Sequence, residues 1–423
     1  MRLFLLSVLL IVYSLVHSQR IVAISEPEVT RIEKTLAAEN MQGRQVFTPG
    51  IEKAAAFIEK EFSQAGLKPL AGSKNYRQSF AMVEAESTDA SITLDDTPVD
   101  ERRLVAFSAD SSLTITQNDH YKKVVVKKRA DFQETVLKYL ESEENVLILV
   151  DTSLTKEFGW LAGLHMPQFR DKGNRIYILS AIDPQQYRIH VKQKIKQRDL
   201  TNLIGIIPGK SRPDEYVIFS AHYDHLGIGK PDVAGDSIYN GANDDASGTT
   251  AVITLANYFG KMHNNERTLV FAAFTAEEVG EFGSAYFSGK LNPDKVVAML
   301  NIEMIGTESK WGKNSAYITG YDKSDMSAIL QKNLGNTQFK FYPDPYPEQQ
   351  LFLRSDNASL AKKGVPAHSI STSKMDVEKY YHQPGDQINT LNMQNMTEII
   401  HAIGLSASSI ISGKDTPTRV QMQ

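Results

Sequence analysis

The stretch Tyr216–His225, YVIFSAHYDH, is an apolar run that ends abruptly in two imidazoles and a carboxylate. A run of β-branched and aromatic residues this short reads as a strand buried on both faces, and its polar end marks where the chain leaves the sheet. Similar runs recur on either side: NLIGIIPG (202–209), TLVFAAFT (268–275), VVAMLNIEMIG (296–306), AYITG (316–320) and PAHSIS (366–371). Between them lie stretches with helical spacing, from about Gly248 to Phe259, near Gly283, from Asp325 to Leu334, and from about Gln394 to Ile411. Apolar strands alternating with helices predict an α/β fold: a mixed, mainly parallel sheet with helices on both faces. Ligands of such sheets collect beyond the carboxyl ends of the strands.

The chain has 423 residues, 41% of them hydrophobic, enough for one large core or two moderate ones. Its 46 basic and 50 acidic residues leave a formal charge of −4 with no long run of either sign, which argues against nucleic acid or an anionic membrane as partner. A small substrate or a peptide fits better. The N-terminus carries Arg2 and an apolar run from Leu3 to Val16, with Ser18 as a small residue before a cleavage point. That run is short for a membrane span and predicts a signal peptide over 1–18, with export to the periplasm or the medium and no stable membrane insertion afterwards; an uncleaved anchor is the alternative. The absence of cysteine excludes disulfides, thiolate metal sites and cysteine nucleophiles.

Upstream of the alternating region, Ile51, Ala54, Ala55, Ile58 and Phe62 recur at helical spacing and are closed by Gly66 and Pro69. From about Met82 to Lys194 the texture changes to short β-rich runs, which predicts an inserted β-rich domain over 83–194 within a main domain built from 19–82 and 195–423. KKVVVKKR (122–129) reads as an edge strand guarded by lysines rather than a basic binding patch.

Chemistry-bearing residues sit at the predicted strand ends. His222 and Asp224 are two apart on one strand and share a face, so one can ligate a metal while the other fixes the imidazole; taken alone, the pair is equally an ordinary satisfied histidine. His225 points the other way and is expected to be structural. NDDASG (243–248) sets Asp244 and Asp245 among small residues, where a solvated turn is the plain alternative. TLVFAAFT runs into Ala276-Glu277-Glu278, and an acidic helix start is the competing reading. Glu303 interrupts an apolar run, where an unpaired carboxylate costs several kcal/mol or takes up a proton. KYYHQPGDQIN (379–389) brings Tyr381 and His382 ahead of a Pro-Gly turn. His222, Asp244, Glu278, Glu303 and His382 make an N/O donor set without sulfur that suits zinc or a similar divalent ion. Five donors exceed one tetrahedral site and suit two ions sharing a bridge; Asp244 is then the bridge and Asp245 its support.

These motifs, in this order, resemble the co-catalytic di-zinc exopeptidases that include secreted bacterial leucyl aminopeptidases, glutamate carboxypeptidases and glutaminyl cyclases. The resemblance is strong from about Leu200 to Leu391; MQGRQVFTPGIEKAAAFIEKEF (41–62) is similar to the family's N-terminal helix, and the insertion loosely resembles a protease-associated domain. It implies that one zinc takes His222 and Glu303, a second takes Glu278 and His382, and Asp244 bridges them. It implies further that Glu277 is the general base, that Tyr381 helps stabilise the oxyanion, and that Arg354, Ser355 and Asp356 lie on the substrate side. Glu303 stands where the family's aminopeptidases usually carry Asp, and Asn357 where many relatives have His. An exported aminopeptidase acting on peptides is therefore the first reading, with carboxypeptidase or dipeptidase open because of Glu303. Glutaminyl cyclase and a metal-free binding relative are the remaining alternatives. No G-x-S-x-G or H-E-x-x-H occurs, which sets aside serine hydrolases and single-zinc helical proteases. The sequons at Asn357 and Asn395 carry no weight.

Overall fold

The structure, a computed structural model, describes residues 23–140, 142–164 and 167–422; the expected signal segment lies outside them. Two helices open the chain, α1 (Glu26–Leu36) and α2 (Pro49–Gln64). Pro49 sits at the first turn of α2, where its missing N–H costs nothing, and Ile51, Ala54, Ala55, Ile58 and Phe62 are all buried along one face, as their spacing predicts.

The sheet is built from β1 (Arg77–Leu94), β2 (Tyr187–Ile207), β3 (Arg212–His222), β4 (Arg267–Phe274), β5 (Val296–Ile302), β6 (Ser315–Ile318), β7 (Lys340–Pro343) and β8 (Ala367–Ser371). Their spatial order is β7-β6-β8-β5-β3-β4-β2-β1. The pairs β4/β3, β3/β5 and β5/β8 are parallel, while β2 and β6 join antiparallel on the two flanks. Every residue of β4 and β5 is buried, as covered parallel strands require. Alternation along each strand feeds two cores. Phe219, Phe271 and Leu300 face the layer formed with α1, α2, α3 (Ser247–Met262) and α5 (Met393–Ser406), while Ile218, Val270 and Met299 face the layer that includes Phe287 of α4 (Phe282–Gly289). Because β3, β4, β5 and β8 run in one direction, their carboxyl ends open on one edge.

Between β1 and β2 a second sheet pairs Leu104–Phe107, Arg175–Leu179, Val146–Val150 and Lys122–Val126 in that order, with helices Arg129–Leu140 and Thr155–Ala162. Lys122–Val126 is an edge strand, as its lysines suggested. The expected boundaries at 82/83 and 194/195 fall inside β1 and β2, which stay paired from Arg77↔Leu203 to Leu94↔Tyr187; a long antiparallel ribbon carries the chain out and back without a linker. Phe169 returns from the outer sheet to meet Phe80, Phe282 and Tyr286. No helix among the described residues is long and apolar enough to cross a membrane.

Candidate metal centre

The sheet edge collects the predicted donors. His222 closes β3, Glu277 and Glu278 follow β4, Glu303 follows β5, Asp244 precedes α3, and His382 lies on a loop before α5. His222 Nε2 stands 3.2 Å from Asp244 Oδ1 and 3.4 Å from Glu303 Oε1. His382 Nε2 stands 3.3 Å from Asp244 Oδ2 and 3.0 Å from Glu278 Oε2. Two donors each ~2.0–2.1 Å from one tetrahedral zinc lie roughly 3.3 Å apart, so both groups have the spacing of ligands around an ion. Asp244 belongs to both, one oxygen to each. Asp244 Oδ2 and His382 Nε2 are buried and lack hydrogen-bond partners while facing one another. Orphaned atoms of this kind are what a cation would satisfy.

The electrostatics agree with that fit. Burial opposes charge on the His222 imidazole, yet the Glu303 and Glu277 carboxylates outweigh it and push its pKa well up. Burial likewise opposes charge on His382, but the neighbouring Asp244 and Glu278 carboxylates raise it to about 10. Against its own burial, Asp244 is held below the usual carboxylate range by His222 and His382. Without metal, therefore, the carboxylates favour charge on the imidazoles, a balance that a divalent ion would otherwise supply.

The support differs from expectation in three places. His222 Nδ1–H donates to the main-chain carbonyl of Asp224 at 3.1 Å, whereas the Asp224 carboxylate is 3.8 Å away. Asp224 Oδ1 accepts instead from the Glu277 N–H at 3.1 Å. That bond steadies a turn in which Ala276 has φ 60°, a left-handed conformation costing about 1 kcal/mol or more for a residue with a Cβ. Asp245 acts alike: its Oδ1 accepts from Gly248 N–H and from the N–H of Met304, itself at φ 51°, both at 3.0 Å. The Asp244–Asp245 peptide bond is cis.

His225 is the second departure. Its ring is turned toward the centre, with Nδ1 2.6 Å from Glu278 Oε1 and 4.0 Å from Asp244 Oδ2. Strand alternation placed it on the far side, but β3 ends at His222 and the chain turns before His225.

The substrate-side trio is the third. Arg354 lines the cavity above the donors and is exposed, bonded to Gln349. Ser355 also lines the cavity, but its Oγ–H donates to Glu303 Oε2 at 2.6 Å while its Oγ accepts from Asn301 Nδ2 at 2.8 Å, so it holds a donor. Asp356 is wholly enclosed and absent from the cavity wall; burial pushes its carboxyl up to about 8. Tyr381 lines the cavity and stacks on His382 with ring centroids 3.9 Å apart.

Asp386 was missed. Its carboxylate accepts from Asn243 N–H at 2.8 Å and Asp244 N–H at 3.0 Å, tying the His382 loop to Asp244. An acid four residues after His382 was the available signal.

Residues 202–406 match peptidase family M28. The chain is 27% identical over 308 residues to leucine aminopeptidase 2 of Trichophyton rubrum, covering 64% of this chain and 57% of the relative. It is 29% identical over 154 residues to a probable zinc metalloprotease of Leptosphaeria maculans, covering 36% and 34%. The chain thus spans between a third and somewhat over half of the length of these curated relatives. A zinc aminopeptidase from Bacillus subtilis has a similar fold, with a TM-score of 0.55 at 16% identity over 96% of this chain and 100% of that one.

Proposed function

We propose that this chain, which belongs to the superfamily of co-catalytic zinc exopeptidases, is an exported aminopeptidase that binds two zinc ions and removes N-terminal residues from peptides. The observation that carries the reading is the pair of donor groups sharing Asp244, with Glu277 beside them. When bound, zinc supplies Lewis acidity and makes a water acidic enough to attack at neutral pH.

The chain's own residues do the rest. Glu277 Oε2 lies 3.9 Å from His222 Nε2 on the cavity wall, placed to take a proton from the attacking water and return it to the leaving amine. Burial raises its pKa well above the carboxylate norm, with Glu303 and Asp356 adding to it against the opposing pull of His222; a carboxyl favoured in this direction can take up a proton and give it back. Tyr381 offers its phenol toward charge developing on the carbonyl oxygen. Met304, Tyr317, Leu351 and Met375 give the cavity an apolar wall for a substrate side chain.

A carboxypeptidase is the second reading, favoured by Glu303 and by the Arg354 cation on the cavity wall. A panel of free, N-blocked and C-blocked peptides, assayed with and without chelator and with zinc added back, separates the two. Cleavage of C-blocked but not N-blocked peptides, lost with chelator and restored by zinc, is the expected result. Chelator-resistant cleavage would remove the metal reading, and cleavage of N-blocked peptides alone would reverse the end preference.

A further inference from the structure

Between α1 and α2, residues Glu39–Arg44 form a tight turn in which Gln42, Gly43 and Arg44 are left-handed, with φ of 53°, 63° and 50°. This turn is wedged between the loop after β3 and the loop before α3. A Cβ on Gly43 would stand 2.4 Å from the carbonyl oxygen of Tyr239 and 2.6 Å from that of Gly227, so only glycine passes.

Arg44 follows, wholly buried. Its guanidinium donates to four main-chain carbonyls: Nε to Tyr223 at 2.9 Å, Nη1 to Leu36 at 2.8 Å and to Asn240 at 2.6 Å, and Nη2 to Gly241 at 2.9 Å. Its own carbonyl accepts from the His225 N–H at 3.3 Å. Tyr223 lies directly after His222, and Asn240–Gly241 lead into Asn243–Asp244. One rigid fork therefore spans the two loops that adjoin His222 and Asp244, two of the three donors of the first group. Burying a cation is costly unless its donors are satisfied, and here the satisfaction comes from carbonyls of those two loops and of the end of α1.

We propose that Arg44 is a positioning residue of the metal centre: by joining the carbonyls of Tyr223, Asn240 and Gly241 it fixes the distance between His222 and Asp244. The inference rests on the zinc reading above. Lysine keeps the charge but is a point donor on a flexible stem and cannot bridge these carbonyls, so Arg44→Lys isolates the geometry. Arg44→Met also removes a positive charge beside an acid-rich site; if charge were the whole of its role, this variant would hold a divalent cation more tightly.

The test is titration of metal-free full-length wild type, Arg44→Lys and Arg44→Met with zinc, and with cobalt as a spectroscopic probe, alongside circular dichroism and thermal melting of the metal-free proteins. Expected are a retained dichroism spectrum, at least tenfold weaker zinc binding in both variants, and a changed visible spectrum for cobalt. Wild-type zinc affinity and cobalt spectrum in Arg44→Lys would overturn the inference, even with a lowered melting point; tighter zinc in Arg44→Met would overturn it in favour of a charge effect. A wild type that binds no zinc removes the metal reading as well, which distinguishes the two failures. If the arginine variants do not fold, Asn240→Ala carries the test, because that side chain pins the same turn through Ala37 and Glu39: weakened zinc supports the inference and wild-type affinity overturns it.

Discussion

His225 Nδ1 and Glu278 Oε1 are 2.6 Å apart, closer than two donors of one tetrahedral ion and right for a hydrogen bond to a charged acceptor. His225 therefore donates to Glu278 and leaves the other oxygen, Oε2, to face His382. Replacing His225 by Ala should weaken zinc binding about 10- to 100-fold, as loss of such a support typically does, without lowering the number of ions bound at saturation. Metal analysis at saturating zinc checks this; one ion fewer would make His225 a ligand.

Glu277→Gln keeps the shape of the side chain and removes its proton chemistry. Zinc content should stay at the wild-type level while kcat falls by about 100- to 10,000-fold. Turnover within tenfold of wild type would place the base elsewhere.

Glu303 reaches two partners because of its length, with Oε2 on Ser355 and Oε1 toward His222. Glu303→Asp cannot keep both, so zinc affinity should fall by about tenfold or more. Ser355→Ala should cost less on its own and nothing further when added to Glu303→Asp. A double-mutant cycle of zinc affinities measures this, and additive losses would show that the Ser355 bond does not act through Glu303. Cleavage preference for free or blocked ends, followed in the same variants, tells whether residue 303 sets it.

Glu33 on α1 is wholly buried, with Oε2 accepting from Thr250 Oγ1 at 2.8 Å. Burial pushes its carboxyl up to about 8, partly offset by Thr250 and the Arg44 charge. Its pKa in the unfolded chain is about 4.3. Stability from this group is thus complete below the unfolded value and is lost as pH rises toward about 8. Glu33→Gln should melt close to wild type at about pH 5 and several degrees higher at about pH 9, at roughly 2–4 °C per kcal/mol. A difference that does not change with pH would count against a protonated Glu33.

Much of the centre was legible because chemistry on a parallel sheet is linear in sequence. Three of the apolar runs carried acids or imidazoles at or near their ends: His222, Glu277 with Glu278, and Glu303. Composition marked Asp244 and His382 by the small residues and the Pro-Gly turn around them. The supports were harder to see. Asp224, Ser355 and Asp386 act through main-chain groups or through a donor on another element, and spacing along the chain does not say which partner such a side chain will meet.

The sequence by itself determined that an α/β sheet with buried parallel strands would bring acids and imidazoles to one edge, since apolar periodicity and strand ends are local properties. Tertiary structure alone decided which oxygen faces which nitrogen. It turned His225 inward beyond the end of β3, gave His222 a carbonyl in place of a carboxylate, and drove Arg44 between two loops nearly 180 and 200 residues downstream. Hydrogen bonds and close packing join atoms by distance in space, and that distance exists only once the sheet has assembled.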